Sequence, residues 1–175
     1  LDAGYHLIVR PHYQTLKLTP AVIENLRQKY GDRPNFEFQG RMADSNTLFR
    51  SDILICDWSA MSIEYALGLC KPVLFIDLPK RVRNPDWQAW GIEPQEVSFR
   101  EMAGDIVSPG KLNEVPDRIH RLLENREELR GRMLEARQQM VFNLGSSVAH
   151  GAREIARLAD AMAAERKKRE QAGAG

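Results

Sequence analysis

Short apolar runs and amphipathic stretches alternate along the chain. Leu7-Ile8-Val9 is an apolar run that ends in Arg10-Pro11-His12. Thr19-Pro20 then supplies an N-cap followed by proline at the first helical position, and Val22, Ile23, Leu26 and Tyr30 recur at helical spacing before Gly31. Asn35 to Gly40 reads as a strand, with Phe36 and Phe38 alternating with polar neighbours. A short helix around Thr47-Leu48-Phe49 leads into the strongest strand, Ile53-Leu54-Ile55-Cys56, bracketed by Asp52 and Asp57. The pattern predicts a helix from about Ser62 to Leu69, ended by Lys71-Pro72, and then a continuous apolar strand from Val73 to Ile76 closed by Asp77.

Unbroken apolar strands separated by amphipathic helices imply a parallel sheet covered on both faces. Short, right-handed connections leave an α/β doubly wound sheet of Rossmann-like type as the expected fold. Residues 78 to 103 read differently, as a long ordered loop with Pro79, Pro85, Pro94, Trp87, Trp90 and the basic cluster Lys80-Arg81-Arg83. Gly104 to Val107 is a last strand, Ser108-Pro109-Gly110 a turn, and Val115 to Leu123 a helix. Another helix is expected over Glu127 to Phe142. After Gly145-Ser146-Ser147 a final helix runs from Val148 to about Arg169, with Ile155, Leu158, Ala159 and Met162 on one side. Residues 1–142 are thus expected to form the Rossmann-like domain, and residues 143–175 a helical C-terminal tail that frays at its end.

Lys and Arg total 25 against 24 Asp and Glu, a net charge of +1. That balance gives no general drive toward nucleic acid or anionic lipid, so any anion must be held by a local site. Both cysteines, Cys56 and Cys70, sit in apolar surroundings and read as core residues in a reducing, cytoplasmic compartment rather than as a disulfide. No apolar run approaches the ~20 residues of a membrane span, and the start lacks the basic and apolar regions of a signal peptide. The chain opens at Leu1 and is in a strand by Leu7, which reads as a fragment cut from a longer protein with a partner domain upstream.

Open parallel sheets take ligands at the carboxyl ends of their strands, where loops lead into helix N-termini. Asp57-Trp58-Ser59-Ala60-Met61-Ser62 is the strongest such place, because the helix after it offers unpaired amides and a partial positive charge suited to phosphate. Ser59 and Ser62 add hydroxyls that either cap the helix or donate to phosphate oxygens. Arg10 is a surface charge or a guanidinium fork for phosphate. His12 caps its loop or serves as a general acid or base, or as a donor to a leaving phosphate. Asp57 is placed to orient the serine loop by accepting backbone N–H bonds. Glu64, expected in the first turn of the helix, is a candidate for ribose hydroxyls. His120, with Asp117 and Glu124 as helical neighbours, reads as half of a surface ion pair. The chain has no Walker loop, no G-x-G-x-x-G, no G-x-S-x-G elbow and no Cys/His metal spacing, which leaves dehydrogenase, P-loop and serine-hydrolase readings unsupported. No metal or cofactor is expected.

Those residues carry a resemblance. Ser51-Asp52-Ile53-Leu54-Ile55-Cys56-Asp57-Trp58-Ser59-Ala60-Met61-Ser62-Ile63-Glu64-Tyr65-Ala66, followed by Lys71-Pro72-Val73-Leu74-Phe75, resembles the CDP-glycerol glycerophosphotransferase family, which makes teichoic-acid-like and capsular polymers. Val9-Arg10-Pro11-His12 is similar to that family's R-P-H element. Trp58 stands where the family usually has Tyr, and Ala60 where it has a second Ser, with Ser62 as the substitute hydroxyl. The resemblance implies the C-terminal Rossmann half of a GT-B transferase, which binds the nucleotide diphosphate part of a CDP-glycerol or UDP/CDP-sugar donor. Arg10 and His12 would then lie at the donor phosphates, with His12 matching a histidine implicated in catalysis. Ser59 would hold the pyrophosphate and Asp57 would support its loop. The partner is an N-terminal acceptor domain of the same protein, which carries the catalytic base. The work of such enzymes places the protein at the inner face of the cell membrane. Arg153, Arg157, Arg166, Lys167, Lys168 and Arg169 on the last helix then either touch that membrane peripherally or form a solvated face with the interspersed acids. A non-hydrolysing UDP-GlcNAc 2-epimerase-like domain and a degenerate, non-catalytic Rossmann module are the alternatives.

Overall fold

The computed structural model describes residues 1–40, 46–80, 84 and 86–172. The basic pair Arg81 and Arg83, together with Pro85, lies outside them. The chain divides into two compact units, Leu1–Leu134 and Glu135–Gly175.

The first unit is α/β, with every strand pairing parallel. β1 (Leu7–Val9) pairs with β2 (Phe36–Phe38), Ile8 standing opposite Glu37. β3 (Leu54–Cys56), β4 (Val73–Ile76) and β5 (Gly104–Val107) form a second ladder with β4 in the centre. Helices connect the strands: α1 (Tyr13–Leu18) and α2 (Pro20–Tyr30) after β1, α3 (Asn46–Arg50) before β3, α4 (Ala60–Leu69) between β3 and β4, and α5 (Gln95–Ala103) before β5. α6 (Val115–Glu124) and α7 (Arg126–Met140) follow, and the boundary between the units falls inside α7. This is the Rossmann-like α/β class that the alternation of apolar strands and amphipathic helices implies.

β4 is the buried heart of the sheet, with Val73, Leu74 and Phe75 at most 1% exposed. Its side chains alternate between two faces. Leu74 packs with Ile119 and Leu122 of α6, Leu129 of α7 and Val107 of β5. Phe75 turns the other way, where Arg100 of α5 lies over its ring. The three-stranded ladder is therefore covered on both faces, but unevenly. Ile55 pairs across the ladder with Leu74 and shares its face, yet it is 37% exposed, and Leu7 of β1 is 36% exposed. The apolar run predicts buried strands throughout. In the structure β1 and β3 are the outer strands of separate ladders, and their edges share no hydrogen bond, so each keeps one partly open side.

Two anchors tie the carboxyl half of α4 and the residue after its C-cap to the segment ahead of β3. Tyr65 donates to the Ser51 carbonyl (2.9 Å), and Lys71 Nζ donates to the carbonyls of Phe49 and Ser51 (both 2.7 Å). Burial pushes the Tyr65 phenol up to about 12. On the far strand, Arg118 of α6 pairs with Asp105 of β5 and Glu114, 2.8 Å in each case.

Residues 78–103 are not one loop. A 3-10 helix spans Trp87–Trp90 and α5 begins at Gln95. Trp90 is 73% exposed, so it does not pack the segment as its size suggests.

The second unit ends in α8 (Ser147–Ala172), which has no buried residue; Ile155, Leu158 and Met162 are all exposed. Arg157, Arg166 and Arg169 each pair with a glutamate of their own helix: Glu154, Glu170 and Glu165. Among the described residues no helix is long and apolar enough to cross a membrane.

Candidate functional site

The loop after β3 is the best-formed candidate. α4 starts at Ala60, two residues before the sequence places it, because Ser59 takes an extended conformation and caps the helix. The Met61 N–H donates to Ser59 Oγ (3.3 Å), and Ser62 Oγ donates to the Ser59 carbonyl (2.6 Å). The capping reading is therefore realised at Ser59, while the Ser62 hydroxyl bonds back to the Ser59 carbonyl and caps no amide. Ser62 is 3% exposed, and its hydroxyl is taken up by the Ser59 carbonyl. The earlier start also moves Glu64 out of the first turn, where it was expected, into the second, where it is exposed. Asp57 is exposed and accepts no hydrogen bond among the described residues; Ser59 holds the loop in place of the expected Asp57 support.

Arg10 and His12 follow β1. His12 is the N-cap of α1, with the Gln14 N–H donating to its Nδ1 at 3.3 Å. A neutral ring that accepts at Nδ1 carries its proton on Nε2. His12 is thus set to donate from Nε2 and not to accept there, which suits a phosphate contact better than a base. Arg10 is half-buried, and its Nη1 is buried without a hydrogen-bond partner. An unpaired buried donor of this kind costs free energy that an anion would recover. Among the described residues, no hydrogen bond, ion pair or ring contact joins Arg10 or His12 to Asp57, Ser59, Ser62 or Glu64. The loops share a position at strand carboxyl ends, not a direct bond.

The third carboxyl end, after β4, holds a residue that the sequence reading missed. Arg100, in the last turn of α5, is 4% exposed and donates from Nη1 to Asp77 Oδ1 at 3.0 Å. Its guanidinium lies 3.9 Å from the Trp58 ring centroid and 5.2 Å from that of Phe75. The Trp58 indole is fixed by donating from Nε1 to the Leu78 carbonyl (2.6 Å), and Lys80 Nζ is 5.3 Å from its ring. Trp58 and Arg100 therefore tie the loop after β3 to the end of β4. The signal for α5 was present in Phe99, Met102 and Ala103, spaced i, i+3 and i+4.

Cys56 ends β3 beside this group. Burial, followed by the adjacent Asp57 carboxylate, pushes its thiol up to about 12, so it is not a ready nucleophile. His120 pairs with Glu124 at 3.1 Å, as its helical spacing implies. No cluster of His, Cys, Asp and Glu suited to a metal ion exists among the described residues. No family model matches the chain, and no curated protein or solved structure shows a significant match to it.

Proposed function

We propose that the unit Leu1–Leu134 binds the nucleotide diphosphate of an activated donor. It would serve as the C-terminal half of a GT-B transferase of the CDP-glycerol glycerophosphotransferase type, using CDP-glycerol or a UDP- or CDP-sugar. The observation that carries this reading is Arg10 Nη1, a buried guanidinium nitrogen with no partner at the carboxyl end of a parallel strand. In doubly wound sheets ligands bind where the strand order reverses. Arg10 and His12 follow the carboxyl end of β1, and the capped start of α4 follows the carboxyl end of β3, the two strand ends that such a crevice would bring together. Arg10 and the Nε2–H of His12 would hold diphosphate oxygens on one side, and the first amide of α4 would do so on the other. Glu64 stands as the candidate for ribose. The acceptor and the catalytic base belong to a partner domain, and work at the inner face of the cell membrane goes with the same reading.

Titrating the chain with CDP, UDP and CDP-glycerol while following amide chemical shifts tests this. Shifts in Arg10, His12 and Ser59 to Met61 at sub-millimolar nucleotide support it; an unchanged spectrum at ~10 mM, where even very weak ligands register, rules it out.

A second reading is favoured by the cap itself. Both serine hydroxyls are engaged within the helix start and Ala60 offers none, as a Rossmann module that has lost its ligand would show. In that case Arg10→Ala and His12→Ala leave the full-length protein's activity unchanged.

A further inference from the structure

α8 carries an apolar stripe that nothing in the chain covers. None of its 26 residues is buried, yet Val148, Ile155, Leu158 and Met162 are large apolar side chains, each at least 51% exposed. Val148, Ile155 and Met162 recur every seven residues, and Leu158 stands three beyond Ile155. That is the a and d spacing with which one helix packs on another. Arg153, Arg157, Asp160 and Lys167 fall on the opposite side of the helix. Helices in water draw most of their stability from packing such an apolar face.

Gly151 occupies the d position two turns before Leu158. A glycine inside a helix destabilises it relative to alanine, and no packing within the chain requires one here, because an added Cβ would meet nothing within 4 Å. A second helix supplies the reason. When two copies of α8 run antiparallel with Ile155 level with the second copy's Leu158, Gly151 is level with its Met162. The thioether side chain fills the notch, and two-fold symmetry makes the fit twice. The charges select this orientation. Parallel copies would set Arg166 on Arg166 and Arg169 on Arg169 where the stripe continues, a juxtaposition of like charges; antiparallel copies keep them apart. Three of the six cations of α8 already pair with its own glutamates, which weakens any pull toward an anionic membrane. The area also suffices. Covering a leucine-sized side chain removes roughly 100 Å² from water. With Phe142 and Leu144, both exposed just ahead of α8, each copy offers such side chains enough to bury on the order of 1,200 Å² across the pair, the lower end for a specific interface.

We propose that α8 is a self-association helix: two copies of the chain pair antiparallel through the stripe from Val148 to Met162, Gly151 of each receiving Met162 of the other. This goes beyond the donor reading and is independent of it.

Sedimentation velocity of the whole chain over roughly 5–500 µM, the range that a minimal interface calls for, reads the mass. A reversible passage from monomer to dimer is expected. Ile155→Glu sets an unpaired charge in the stripe and is expected to weaken the dimer about tenfold or more. It should leave thermal unfolding of the monomer unchanged, because the residue is exposed there. Gly151→Leu separates an interlocked pair from general stickiness: it adds apolar surface and helix propensity yet fills the notch, so a weaker dimer is expected. A chain that stays monomeric at the highest concentration overturns the proposal. So does Ile155→Glu dimerising as the wild type does, or Gly151→Leu dimerising more tightly. A monomer that instead co-sediments with vesicles of phosphatidylcholine and phosphatidylserine overturns it as well, and makes the lipid surface the occupant of the stripe.

Discussion

The guanidinium of Arg100 stacks on the indole of Trp58 at 3.9 Å, joining a residue of α5 to the loop that starts α4. The two positions are far apart in sequence, and between them runs β4 with its terminal Asp77, the partner of Arg100. The carboxyl ends of β3 and β4 are therefore one connected structure.

Ser59 anchors the start of α4 through a single side-chain acceptor. Ser59→Ala is expected to cost about 1 kcal/mol, a fall of about 2–4 °C in Tm for a chain of this size, read by thermal unfolding. Ser59→Asp, which also caps, should recover most of it. Equal loss in both variants would show that the cap does not set the helix start.

Gly104 opens β5 where no side chain fits. A Cβ there would lie 1.7 Å from the Val73 carbonyl oxygen. Its φ of 173° is ordinary extended backbone, so the demand is for space and not for a left-handed dihedral. Gly104→Ala is expected to push β5 off β4 and cost about 3 kcal/mol, the upper part of the overpacking range, measured by denaturant unfolding. A loss below about 0.5 kcal/mol, the size of a neutral surface change, contradicts the tight β4–β5 approach.

Alkali should destabilise the fold. Cys56 rises from 9.0 to about 12 and Tyr65 from 10.0 to about 12, each chiefly through burial. The unfolded chain loses these protons first, so above pH 9.0 the folded state binds more protons than the unfolded one. Stability from both groups is whole below pH 9.0 and falls as pH climbs toward about 12. Denaturant midpoints at pH 8 and pH 10.5 check the sign, and Cys56→Ala should flatten the decline. The same burial predicts that iodoacetamide labels Cys56 in the native chain far more slowly than in urea.

Much of this architecture was readable from apolar spacing. β4, β5, α6 and α8 lie within a few residues of where Val73–Ile76, Gly104–Val107 and the two helical periodicities place them. What escaped has physical causes. α1 is only six residues long and buries none of them, so no periodicity announces it. α5 was hidden by neighbouring prolines and tryptophans, and by Arg100 itself, a charge on the buried face of its helix. That charge is satisfied by Asp77 and by two rings remote in sequence, which no local pattern encodes. Arg10, His12, Asp57 and Ser59 were legible as strand-end residues, whereas the commitment of Ser62 to the Ser59 carbonyl was set by where α4 begins.

The central claim is that the strand-end groups recognise a diphosphate, and comparing UDP with uridine isolates it. In calorimetric titrations of the whole chain, UDP or CDP should bind at least tenfold more tightly than the matching nucleoside, the scale of charge-assisted phosphate contacts. Arg10→Ala should erase most of that difference while leaving the nucleoside unaffected. Nucleoside and nucleotide binding alike, or a phosphate advantage that survives in Arg10→Ala, would contradict it.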